Sequence, residues 1–187
     1  MKKSILWGIL ASVASGVAEA HPGHGLTAGF AAGFMHPLTG WDHLLVMLSL
    51  GIWAARRPQG QGWPLPLLFV LVMALSALTA MAWLSASFAE VMVAASVLMM
   101  GALLLSEVSV SRTLQWAGVT VIAAAHGYLH GLELGSHWTA LVGMVTATAM
   151  LHVAGWLIGH LRQSWATHAS RLLGALMLLL GIGLIWA

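Results

Sequence analysis

Six apolar stretches follow one another at roughly residues 26–55, 65–84, 88–106, 113–134, 138–160 and 172–186, with only short breaks between them. The second to fifth are about the ~20 residues that a helix needs to cross the hydrocarbon core of a bilayer. The last is shorter and abuts the C-terminus. The first is longer than one crossing requires, which predicts tilt, a kink or a broken helix. Charged residues make up 6% of the chain and hydrophobic residues 60%. A soluble domain carries about a quarter of its residues charged, so this chain cannot cover a water-facing surface. A disordered chain is excluded as well, because it needs low hydrophobicity. The expected fold is all-α: a polytopic membrane protein with six transmembrane helices in one domain, residues 21–187. The net charge is +2 with no basic run, so nucleic acid is not an expected partner. Cysteine is absent, which removes disulfides, thiolate metal sites and Fe–S clusters.

Residues 1–20 read as a cleavable signal peptide. Lys2 and Lys3 precede a short apolar core, Ile5 to Val17, and Ala18-Glu19-Ala20 is an A-x-A cleavage pattern. The alternative is an uncleaved first helix. Cleavage makes His21 the first mature residue, outside the membrane. His21-Pro-Gly-His24 is then either a flexible polar terminus or a pair of imidazoles beside a free amine, donors suited to nickel, copper or zinc. With that terminus outside, Arg56, Arg57, Arg112, Arg162 and Arg171 all fall in or beside cytoplasmic connections, and the two outer connections hold no Lys or Arg. Trp63, Trp83, Trp116 and Trp138 sit at segment ends, as interfacial anchors do.

Ionisable groups inside a bilayer cost roughly 2.5–3.5 kcal/mol each for Asp, Lys or Arg at a helix centre, and they persist where they pair, face a cavity or bind something. Two stretches concentrate them. In the fourth, His126, His130 and Glu133 fall within a stripe about 60° wide on one helical face. That is half of a divalent-metal site, or a set of histidines bonded to neighbouring helices. Gly127 and Gly131 beside them let another helix come close. In the first stretch, Gly29, Gly33, His36, Gly40, His43 and Met47 share one stripe if the helix is continuous, and Asp42 then points about 100° away. Pro37 and Gly40 weaken that helix. A break would swing Asp42 toward His36 or His43, where an Asp–His bond fixes the tautomer and raises ligand basicity. The simpler reading is a proline kink with a buried Asp–His pair.

His152 lines up with Thr148, Gly155 and Gly159 on a small, inward face of the fifth stretch, either as a packing histidine or as a further ligand. His137, His160 and His168 fall at loops or stretch ends. Glu90 is a mouth residue or a solvated one. The segments His36 to His43 and Glu133 back to His126 are equal in length, each beginning with His, and are compatible with a 3+3 inverted repeat. No nucleotide-binding loop, H-E-x-x-H or G-x-S-x-G motif is present, so no enzymatic activity is expected.

Gly29-Phe30 through His36-Pro37, Gly40 and Asp42-His43-Leu44-Leu45, followed by His126-Gly-Tyr-Leu-His130-Gly-Leu-Glu133, resembles the HupE/UreJ family of bacterial membrane proteins. The resemblance covers nearly the whole chain. It implies a permease for nickel, or in some members cobalt, in the inner membrane, feeding hydrogenase or urease maturation, with both mature termini periplasmic. It maps the functional residues onto His36, Asp42, His43, His126, His130 and Glu133. The cation is cargo, and no permanently bound cofactor is expected. Imidazole must be neutral to ligate, so binding should weaken as pH falls through the ordinary histidine range near 6.5. Two other readings compete: a metal-binding accessory protein that does not transport, and a b-type haem protein ligated by His43 with His126 or His152. Neither the oligomeric state nor coupling to protons is legible.

Overall fold

The computed structural model describes residues 29–58, 61–80, 85–106, 109–134, 137–161 and 164–186. Among these residues the structure is helical, without strands: α1 (Phe30–Thr39), α2 (Trp41–Ala55), α3 (Pro64–Leu78), α4 (Ala86–Leu105), α5 (Arg112–Leu134), α6 (Trp138–Gly159) and α7 (Ser164–Trp186). The signal peptide, His21, His24, Trp83 and Arg162 lie outside the described residues. Helix α4, helix α6 and residues Trp165–Trp186 of α7 are each long and apolar enough to cross a membrane, and α1 with α2 passes as one broken span. Helix α3 has 15 residues, short for a crossing. Helix α5 has 23, but Arg112, His126, His130 and Glu133 make it more polar than the others. By length and composition alone, then, three or four spans qualify rather than the six expected from the apolar stretches. The last helix begins earlier than its apolar stretch, at Ser164, because the polar segment up to Arg171 is helical too.

The first span breaks at Gly40 and not at Pro37. Helix α1 runs on through Pro37 to Thr39, and the two helices meet at 80°. A proline removes one backbone donor but keeps a helical φ, so α1 survives it. The Thr39 hydroxyl donates to the carbonyls of Met35 and His36, each at 3.1 Å, and satisfies the last turn. The Gly40 amide donates to the His36 carbonyl at 3.2 Å and ends α1. The Leu44 amide donates to the Gly40 carbonyl at 2.9 Å and starts α2.

Three helix pairs build the bundle: α1 and α2 along α6, α3 along α5, and α4 along α7. Small residues bring the backbones together. A Cβ added at Gly127 would fall on the Met73 carbonyl, and one at Gly155 on the Leu48 carbonyl. This bears out the close approach expected at Gly127 and the small, inward face of Thr148, His152 and Gly155, all buried. Val46, Met47, Leu50, Phe69, Met73, Met100, Met144 and Met177 fill the middle and are all fully buried. Leu67, Leu71, Leu75 and Leu78 form an outward apolar stripe on α3, which suits lipid and not water.

One end of the bundle collects arginines. Arg56 Nη2 donates to Ser170 Oγ at 2.6 Å, and the Arg57 guanidinium lies 4.7 Å from the centre of the Trp53 ring. The histidine motifs lie toward the opposite end.

Candidate metal centre

The corner at Gly40 places His36 near the end of α1 and His43 in the first turn of α2. Their rings approach to 5.8 Å. Helix α5 brings His130 to 4.8 Å from His36 and 4.5 Å from His43, and His126 to 5.0 Å from His43, all between ring centres. Four imidazoles from the two sequence motifs therefore form one cluster. One ring nitrogen from each of His36, His43 and His130 can be chosen so that all three lie within 4.8 Å of one another.

Each buried ring is oriented by an acceptor on Nδ1. His43 Nδ1 donates to Asp42 Oδ1 at 2.8 Å, and that same oxygen accepts the His43 amide at 2.9 Å. His130 Nδ1 donates to Glu133 Oε2 at 3.2 Å. His126 Nδ1 donates to the Ile122 carbonyl at 2.9 Å, one turn back on its own helix. His152 Nδ1 donates to the Met47 carbonyl of α2 at 2.8 Å. A carbonyl or ionised carboxylate only accepts, and a neutral imidazole has one N–H. The lone pair is thus left on Nε2 in all four rings. Those four Nε2 atoms are buried without a hydrogen-bond partner, although a buried polar atom is ordinarily bonded. Nδ1 held by a carboxylate or carbonyl, with Nε2 bare, is the arrangement that metal-ligating histidines adopt.

Asp42 turns to His43, one of the two outcomes expected of a break in this span. Glu133 Oε2 lies between His130 Nδ1 and His36 Nε2, 3.2 Å from each, so one carboxylate joins α5 to α1. The cluster forms the floor of a cavity of about 280 Å³, lined among others by Trp41, Asp42, Glu90, Val93 and Leu184. Glu90 is therefore a mouth residue, a choice the sequence left open. Exposure falls with depth: the His36 side chain is 24% exposed, His43 6%, and His126 and His130 0%.

His152 stands apart from this cluster. The ring of Phe69 lies between it and His126, 5.1 Å from one and 5.5 Å from the other. Periodicity gave no functional signal at Phe69, since a buried aromatic in an apolar helix is ordinary packing. His137 and His160 flank α6 and are exposed, as expected of end residues, while His168 lies exposed within the first turns of α7.

The family model described as HupE / UreJ protein matches residues 9–184. A relative, Protein HupE of Rhizobium leguminosarum bv. viciae, is 34% identical over 191 residues, 99% of each chain. No solved structure matches. Matched over nearly its whole length by sequence, and carrying both histidine motifs in one buried cluster, the chain belongs to the HupE/UreJ family of membrane proteins.

Proposed function

We propose that the protein carries a divalent transition-metal cation, nickel or cobalt, across the bacterial inner membrane into the cytoplasm, in support of hydrogenase or urease maturation. One observation carries this reading: four imidazoles with Nδ1 already bonded leave Nε2 bare, three of them converging at the floor of a cavity lined by Asp42, Glu90 and Glu133. Nitrogen and carboxylate donors suit Ni²⁺ and Co²⁺. A carrier must also release its ion, which favours a few ligands plus water over a closed cage.

Positive-inside orientation makes the arginine end cytoplasmic and the cavity periplasmic. Six crossings follow if α3 and α5 both span. In support, α3 runs alongside α5 and the polar residues His126 and His130 of α5 are buried in the bundle, not presented to lipid. The helix pairing also favours a 3+3 inverted repeat. Exchanging the first three spans with the last three turns the pair of first and fifth into the pair of fourth and second, and leaves third with sixth. These are the pairs that pack most closely.

The haem alternative fits less well, because the ring of Phe69 fills the space between His126 and His152 that a porphyrin would need. His43 and His126, at 5.0 Å, leave no slot for one either. Nickel and cobalt accumulation in cells making the native chain, His36→Ala or His130→Ala at matched membrane levels tests the proposal. Loss in both variants supports it, and native accumulation in both overturns it. Flux into vesicles holding the purified protein separates a carrier from a binding accessory protein.

A further inference from the structure

The histidine cluster accounts for three of the four bare, buried Nε2 atoms. The fourth belongs to His152, on the far side of Phe69 from the cavity. We propose that His152 is a second metal-binding station, deeper than the cluster, which takes the cation after it passes the Phe69 ring. This rests on the carrier reading above and adds a step to it.

Several observations converge on His152. It is 2% exposed, yet its Nε2 has no hydrogen-bond partner. A packing histidine has no reason to leave a buried nitrogen bare, since that forfeits roughly 1–3 kcal/mol of solvation. Its Nδ1 is held at 2.8 Å by the Met47 carbonyl, so the ring is turned and its tautomer fixed as in the cluster. Met47 lies one helical turn beyond His43 on α2, which ties the orientation of the deep ring to the helix that carries a cluster ligand. The contact is rigid: a Cβ at Gly51 would overlap the His152 carbonyl, so α2 and α6 touch backbone to backbone there. Thr148, one turn before His152, is fully buried, and its hydroxyl donates to Met73 Sδ at 3.9 Å. An oxygen and a soft sulfur thus lie on the neighbouring turns of the two helices that flank the ring. Finally, His152 lines a separate cavity of about 320 Å³ between α3 and α6, together with Trp63, Pro66 and Trp156 toward the arginine end. The sequence of donors is then His36 and Glu133, His43 and His130, His126, the Phe69 ring, and His152.

The expected ligand is a borderline divalent cation, because a single imidazole with a hydroxyl and a thioether nearby disfavours hard ions. A station of so few donors holds the ion weakly, as a release step requires.

The decisive variant is His152→Asn. Its amide NH₂ can still donate to the Met47 carbonyl, so packing and orientation are preserved while Nε2 is removed. Nickel accumulation should fall by at least about ten-fold. Purified His152→Asn should keep the visible absorption of Co²⁺ bound at the cluster. Native accumulation by His152→Asn, alongside loss in His130→Ala, overturns the deep station while leaving the carrier reading standing. Native accumulation by His130→Ala overturns the carrier reading itself. A second measurement does not depend on transport. In a full-length chain carrying His21→Ala and His24→Ala, Co²⁺ titration should show a tight site and a weaker second one. A single site per chain overturns the proposal, as does a weaker site that survives His152→Asn.

Discussion

Glu133 holds His36 across a helix boundary: its Oε2 lies 3.2 Å from His36 Nε2 and 3.2 Å from His130 Nδ1. One carboxylate thereby fixes the spacing of two imidazoles on α1 and α5. Glu133→Gln keeps the shape and removes the charge. Co²⁺ affinity should drop about 10–100-fold, the usual loss when a partner of a ligating histidine is removed. Titration of the purified variant by visible absorption checks this, and a native affinity would show that Glu133 only packs.

Asp42 works on His43 alone. Its Oδ1 accepts both the backbone amide and the ring Nδ1. Asp42→Asn retains an acceptor in the same place but cannot raise the basicity of the imidazole. A loss of affinity of similar size, about ten-fold or more, is expected with an unchanged thermal midpoint in detergent. A lowered midpoint with native affinity would assign Asp42 to folding.

Binding should depend on pH with a definite sign. Protons and cations compete for the same Nε2 lone pairs, so acidification raises the apparent dissociation constant and metal binding releases protons. Isothermal titration in buffers of different ionisation enthalpy measures that release. Tighter binding on acidification would be incompatible with imidazole ligation.

The glycines divide into two kinds. Gly127→Ala drives a methyl onto the Met73 carbonyl and forces α3 from α5, whereas a methyl at Gly183 meets nothing within 4 Å. Gly127→Ala should cost about 1–3 kcal/mol, as overpacking does. Gly183→Ala should be neutral or stabilise by up to about 1 kcal/mol through helix propensity. Thermal midpoints of the two variants in one detergent decide it.

The sequence made the α5 half of the centre legible, because His126, His130 and Glu133 lie on an unbroken helix where spacing fixes the face. The α1–α2 half was legible only as a choice. Spacing on a straight helix turns Asp42 away, and the true direction depends on a backbone corner whose position, Gly40 rather than the proline, is decided by how the last turn of α1 is satisfied. Residues whose role comes from a neighbour on another helix were the least legible. Phe69 reads as ordinary core, and the bare Nε2 of His152 exists only because α2 presents the Met47 carbonyl to its Nδ1. The polar start of α7 was hidden for a different reason: apolar stretches mark where lipid begins, not where helical hydrogen bonding begins.

The corner at Gly40 has a mechanical consequence. On a straight helix, seven residues separate His36 from His43 by about 10.5 Å along the axis, too far to share an ion. The 80° fold closes that gap to 5.8 Å between rings. The bite of this chelate is therefore set by main-chain torsions at one residue, where a Cβ would crowd His43 Nδ1 at 3.1 Å and Asp42 Oδ1 at 3.2 Å. Straightening the corner parts two donors at once without turning a single side chain, so the hinge that assembles the grip is also the latch that opens it.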